Sequence, residues 1–368
     1  MQELKRIINY KRIILLLIAA TVNVVFFLYD NKPVMDEDII NKENVAHETY
    51  IKNYHEEVNA IIDNADKLKK YSIFNKAGSF SYANILQTAR DFERVKNVIL
   101  PEDEYKGVQA YTTYYYQYFF TMLVMMFVIY DMFAQRDNGM WSITYSCANG
   151  RIMYAIKQTG VIVVTGAFTH TLIYWSTFIA AMLQRGGVRD LVNPVQTIET
   201  FDKFTYPWSK IKYVTVLYLI SMVCIVALCI TIWGVFVMFR NRVYALVTML
   251  IFAAVEQFIY SHIDIHSVWN GLHYINIINI ININATFSSY RNWGVGTYVF
   301  PVFSVVLFVH IICAGVIGYI AINVSASMKP YKNTTFIKRF TDCVSAGCQK
   351  ILARIPFLFK EIHKFIFT

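Results

Sequence analysis

The chain has 368 residues, is 56% hydrophobic and 16% aromatic, and carries only 16% charged residues. A soluble domain carries about 25% charged residues, so the composition excludes an ordinary solvated globule and points to a polytopic membrane protein. The formal net charge of +9 therefore bears on topology rather than on nucleic acid, because Lys and Arg gather on the cytoplasmic side of membranes.

Lys5, Arg6, Lys11 and Arg12 precede an apolar run from Ile13 to Tyr29. The residues after it lack a small-residue cleavage pattern, so the run reads as an uncleaved first span with its N-terminus inside. Asn23 within it is expected to contact another helix. Residues 31–110 form the largest polar insert. Ile51, Tyr54, Val58, Ile61, Ala65 and Leu68 recur at steps of three and four, a seam along one helix face. After Gly78 and Ser79 the spacing resumes with Tyr82, Ile85, Ala89 and Phe92, and Pro101 ends it. The pattern predicts an antiparallel helical hairpin outside the membrane.

A second span runs from about Tyr114 to Ala134, entered through a tyrosine cluster that suits the headgroup boundary. Asp131 near its far end reaches water at that depth and needs no special role. The polar stretch Gln135 to Lys157 follows, and then a third span from about Gly160 to Leu183. Residues 184–212 form a loop rich in turn signals (Gly186-Gly187, Asn193-Pro194). The fourth span covers about Tyr213 to Phe239, a basic hinge follows at 240–242, and the fifth covers about Val243 to His262. The sixth runs from about Val299 to Asn323, and residues 324–368 read as a basic amphipathic tail on the inner membrane surface. Acidic residues concentrate in the segments placed outside, and both termini inside is the consistent solution. None of the six cysteines falls in a segment placed outside, so no disulfide framework is expected.

The expected class is thus an all-α polytopic membrane protein. It has six transmembrane helices and an extracellular helical-hairpin insert between the first and second spans. Its parts are 1–30 (N-terminus and first span), 31–110 (insert), 111–323 (spans two to six, with a cytoplasmic loop at 135–158) and 324–368 (tail).

The loop at 135–158 carries a pattern as well as charge. Arg136 and Asp137 meet Asn138-Gly139, an amphipathic run with Trp141, Ile143 and Tyr145 follows, and Arg151 and Lys157 close it. A short helix of this kind can dock in a cleft of a soluble partner, with Arg and Asp making oriented, charge-assisted contacts. The bland reading is a positive-inside loop with an interfacial Trp. The topology and this loop together resemble the membrane subunit of type-2 ABC exporters. In that family the loop typically carries an acidic residue shortly before a Gly, then a Ser-x-Pro turn, an Arg and a Lys. Here Asp137 precedes Gly139, Ser146 is followed by Ala148 where Pro is usual, and Arg151 and Lys157 follow. The resemblance implies that Arg136, Asp137, Gly139, Trp141, Arg151 and Lys157 couple the chain to an ATPase.

The sequence contains no G-x-x-x-x-G-K-[ST] phosphate loop. The chain is therefore expected to be no enzyme by itself, with ATP and Mg handled by a separate ATP-binding cassette subunit. It would pair with itself or with a second membrane subunit in the plasma membrane, contacting lipid and no nucleic acid. The abundance of Ile, Asn and Lys suits an AT-rich bacterial genome. Transport of an amphiphile (a peptide, antimicrobial, lipid-like compound or drug) is the leading expectation. A peptide-sensing or immunity component, whose helical ectodomain binds an extracellular ligand, is the alternative.

Glu256 lies inside the fifth span, where an ionisable residue faces a partner, a pathway or the interface. His170 and His310 read as helix-to-helix hydrogen bonders. His262, Asp264 and His266 alternate, but on a helix they fan apart, and no metal site is expected. Asn276, Asn279 and Asn282 repeat every third residue, which suits a re-entrant segment with a polar edge. Asn284-Ala-Thr286 matches a glycosylation sequon. Trp269, Trp293 and Tyr298 read as interface anchors.

Overall fold

A computed structural model describes residues 10–327, apart from 34–35, 72–73, 75, 77, 102–105, 138–149, 240, 264–266 and 268. The chain is mostly helical, and six helices are long and apolar enough to cross a membrane: a multi-pass membrane protein. These are α1 (Tyr10–Asp30), α5 (Tyr116–Asp137), α6 (Gly150–Arg185), α7 (Lys210–Met238), α8 (Arg242–His262) and α12 (Val302–Ser327). Between α1 and α5 lie α2 (Glu37–Leu68), α3 (Phe80–Glu93) and the short α4 (Gly107–Thr113). Between α8 and α12 lie three short helices, α9 (Asn270–Ile275), α10 (Ile278–Ile281) and α11 (Ile283–Ser288), and a β-hairpin. The predicted tail lies outside the described residues from 328 onward.

The third span differs from expectation. Its helix starts at Gly150, ten residues before the predicted start, and runs for 36 residues. At 1.5 Å per residue it is about 54 Å long, well beyond the roughly 30 Å of a hydrocarbon core.

The bundle is organised on α7, which has 61% of its apolar window buried against 6% for α8. Close approach of α7 to α12 depends on missing side chains. A Cβ on Gly234 would lie 2.4 Å from Ile317 Cγ2, and one on Gly318 would lie 3.0 Å from Ile230 Cγ2. His170 joins α5, α6 and α7. Its ring stacks on Tyr118 and Tyr218, and its Nε2 lies 2.9 Å from Ser221 Oγ. Buried Asn23 ties α1 to the bundle. Its Nδ2 donates to Thr177 Oγ1 at 2.7 Å, and its Oδ1 accepts from the Tyr114 hydroxyl at 3.0 Å.

In the insert, the Asp36 side chain caps α2 by accepting from Asp38 N, and Ser79 caps α3 by accepting from Tyr82 N. The two helices pack on each other through Tyr54, Val58, Ile62 and Phe92, and Val95 just beyond α3 joins the same cluster. The buried stripe of α2 departs from the predicted seam: Ile62 joins Tyr54, Val58 and Ala65, while Leu68 is exposed.

One short strand pair sits among the helices. β1 (Asn292–Val295) pairs antiparallel with β2 (Tyr298–Pro301), in the register Asn292↔Pro301 to Val295↔Tyr298. Gly296, at φ +63°, supplies the left-handed turn that L side chains disfavour. β2 runs directly into α12.

The insert sits on this hairpin and on the loop at 184–212. Asn292 Nδ2 donates to Asn84 Oδ1 at 2.8 Å, and the Tyr290 hydroxyl donates to Asp91 Oδ2 at 3.0 Å. Phe80 packs on bare Gly294, where a Cβ would lie 2.1 Å from the ring. On the loop side, the Tyr50 hydroxyl donates to the Gln196 carbonyl at 2.8 Å, and the Arg94 guanidinium lies over the Tyr206 ring.

Candidate functional site

The stretch between α5 and α6 is only partly within the described residues. Gly139 and Trp141 lie outside them. Arg136 and Asp137 form the last turn of α5, whereas Arg151 and Lys157 belong to the first turns of α6. The two basic residues are thus part of the long third helix rather than the far end of a loop. Six positions apart on a helix, they stand about 240° around its axis and do not share a face. Lys157 is exposed and Arg151 half-buried.

Arg136 turns back towards the bundle. Its guanidinium lies over the Phe133 ring, 4.6 Å from the centroid, and donates to the Phe236 carbonyl at 3.0 Å. Phe236 is in the last turn of α7, which ends at Met238. The last four carbonyls of a helix have no partner within it and carry the negative end of its dipole. A cation is the fitting cap there.

The same end of α5 makes two further contacts, neither visible from the sequence. Asp131 forms an ion pair with Arg12 of α1, so the expectation that Asp131 needs no special role is corrected. Arg242, at the start of α8, places its guanidinium 4.5 Å from the Tyr130 ring centroid. Partners 119 positions apart leave no periodic signal. A basic residue opening each of two spans was the only hint.

Glu256 serves the segment between α8 and α12. Its Oε2 accepts from Ile277 N at 3.0 Å, and its main-chain oxygen accepts from Asn276 Nδ2 at 2.7 Å. Asn276 Oδ1 accepts in turn from Ile278 N at 2.7 Å, so Glu256 and Asn276 together satisfy the backbone entering α10. Asn279 Nδ2 donates to the His273 carbonyl at 2.6 Å. The asparagine repeat thus feeds internal turns of an apolar segment, as buried backbone requires. His310 Nδ1 lies 2.8 Å from the Val306 carbonyl of its own helix, rather than bridging to another.

The sequon residue Asn284 is spoken for. Its Oδ1 accepts from the Tyr213 hydroxyl at 2.6 Å and its Nδ2 donates to the Thr112 carbonyl at 2.8 Å. Trp269 and Tyr298 are exposed, but Trp293 is half-buried against the main core. Among the described residues no group of three or more His, Cys, Asp or Glu side chains is placed to hold a metal, and 264–266 lie outside them.

Compared with known proteins, the chain matches no family model, no curated protein and no solved structure.

Proposed function

We propose that the chain is the transmembrane subunit of an ATP-driven exporter, moving an amphiphilic substrate outward on the power of a separate nucleotide-binding subunit. The carrying observation is the position of the polar stretch. It joins α5 to α6, and both helices pack directly on α7, the most deeply buried span. Force applied between them reaches the bundle centre as a rigid-body shift. The termini and the stretch lie on the cytoplasmic side in this reading, and the insert lies outside. The missing phosphate loop assigns ATP and Mg to the partner. The near-bare α8 leaves room for a second membrane subunit, identical or related.

The alternative, a peptide-sensing or immunity component of the same type, is favoured by one feature. The insert is seated on the hairpin that continues into α12, so a ligand on the insert has a direct line to the last span.

Affinity purification of the full chain from its native membrane tests the reading: an ATP-binding cassette protein should copurify. Gly139→Val and Arg151→Ala should leave the complex assembled while separating ATP hydrolysis from transport or resistance. Absence of an ATPase, or unchanged coupling in both variants, refutes it.

A further inference from the structure

We infer that the end of α5 leading into 138–149 is a clasp that makes α1, α7 and α8 move with it, with Asp131 and Arg136 as positioning residues. This rests on the exporter reading for the source of motion, but the clasp itself stands on contacts. Tyr130, Phe133 and Arg136 fall on one side of α5 at helical spacing, and Asp131 falls about 100° away from Tyr130. The first group meets α7 and α8. Arg136 caps the Phe236 carbonyl, Phe133 and Tyr130 pack on the Phe236 ring, and Arg242 lies on Tyr130. Asp131 meets α1 through Arg12.

The arrangement ties down the spans that packing holds least. α8 has 6% of its window buried, and α1 has 22%. α12 is covered no better than α1, but it is locked along α7 by the close approach at Gly234 and Gly318. Among the described residues, α1 and α8 have no such glycine seam on α7. At this end each sends a guanidinium to α5, Arg12 or Arg242, and α1 adds the apolar contact of Leu16 with Val124 and Val128. The contacts are directional, charge-assisted or cation–ring in kind, so they hold a geometry rather than only an area. A pull on the residues following Asp137 is therefore distributed to three further helices at once.

The test uses the full chain with its copurified ATPase in phospholipid nanodiscs, and an environment-sensitive fluorescent amino acid in place of exposed Ile18 on α1. ATP with Mg should shift the emission. Arg12→Gln and Asp131→Asn should each cut that shift by about threefold or more, and the swapped pair Arg12→Asp with Asp131→Arg should restore it. A full shift in both single variants, or no restoration by the swap, overturns the clasp. If the unaltered complex gives no ATP-driven shift, the exporter reading fails instead. The clasp is then decided on the chain alone by probe anisotropy. Single variants should loosen α1 and the swap should tighten it again, and an unchanged anisotropy overturns the proposal.

Discussion

Asn23 offers a sharp test of how α1 is held. Most of this span faces away from the protein, yet Asn23 is fully buried and bonds to Thr177 and to the Tyr114 hydroxyl. Side-chain hydrogen bonds between membrane helices average about 0.6 kcal/mol and reach about 1.7. Two such bonds are lost in Asn23→Ala, giving an expected destabilisation of about 1–3 kcal/mol. The Tyr114 hydroxyl keeps a second acceptor, the Asn23 main-chain oxygen at 3.2 Å, so it is not left orphaned and the upper figure is a ceiling. Steric trapping in bilayers, applied to Asn23→Ala, Tyr114→Phe and the double variant, isolates the shared bond. Its coupling energy should be about 0.6 kcal/mol. A cycle that closes additively, within about 0.3 kcal/mol, would show that the polar contact does not hold α1 and that packing alone does.

Four other predictions rest on local geometry. A Cβ on Gly107 would lie 2.2 Å from the Gly186 carbonyl oxygen, so Gly107→Ala should lower the melting temperature, at a cost of about 1–3 kcal/mol. Gly160 in α6 has nothing within 4 Å, and Gly160→Ala should leave it unchanged or raise it. Burial pushes the Tyr290 phenol up to about 12 from the usual 10. The folded state thus favours the neutral form. That contribution is complete below about pH 10 and is lost as pH rises through 10 to 12. Proteolysis of the insert should accelerate in that window, while Tyr290→Phe should flatten this part of the pH response. Asn284 is committed to Tyr213 and Thr112, so expression in a glycosylating host should add no glycan there. A mass increase abolished by Asn284→Gln would contradict the structure.

The six spans were legible because a bilayer demands long apolar runs, and each run announces itself without any partner. Their ends were less so. The start of α6 was hidden because Arg151 and Lys157 look like loop residues, although a helix longer than the bilayer carries charge on its overhang. The β-hairpin carries only a weak signal: Tyr298 and Phe300 alternate with Val299 beyond Gly296, but the run merges with the apolar start of α12. Trp293 is half-buried against the main core, a packing its residue type does not encode, because an indole beside a membrane suits both the interface and the core. Glu256 was visible as a costly residue, whereas its partner is a backbone N–H twenty-one positions later, which side-chain types alone do not encode. The pairs Arg12–Asp131 and Arg242–Tyr130 were out of reach because partners so far apart in the chain leave no periodic signal. The candidate site was therefore legible as a stretch of chain and illegible as a set of contacts.

The seat of the insert also sets an order of events during synthesis. Asn84 waits for Asn292, a partner 208 positions further along the chain. At about 5–20 residues per second, that partner emerges roughly 10–40 s later. Until then Phe80 and the polar row Asn84, Thr88 and Asp91 have no surface to close on. The insert is thus made well before the surface it closes on. Over that interval a nascent chain offers an unsealed face to whatever chaperone attends it, and a message truncated after α8 would leave that face permanently open.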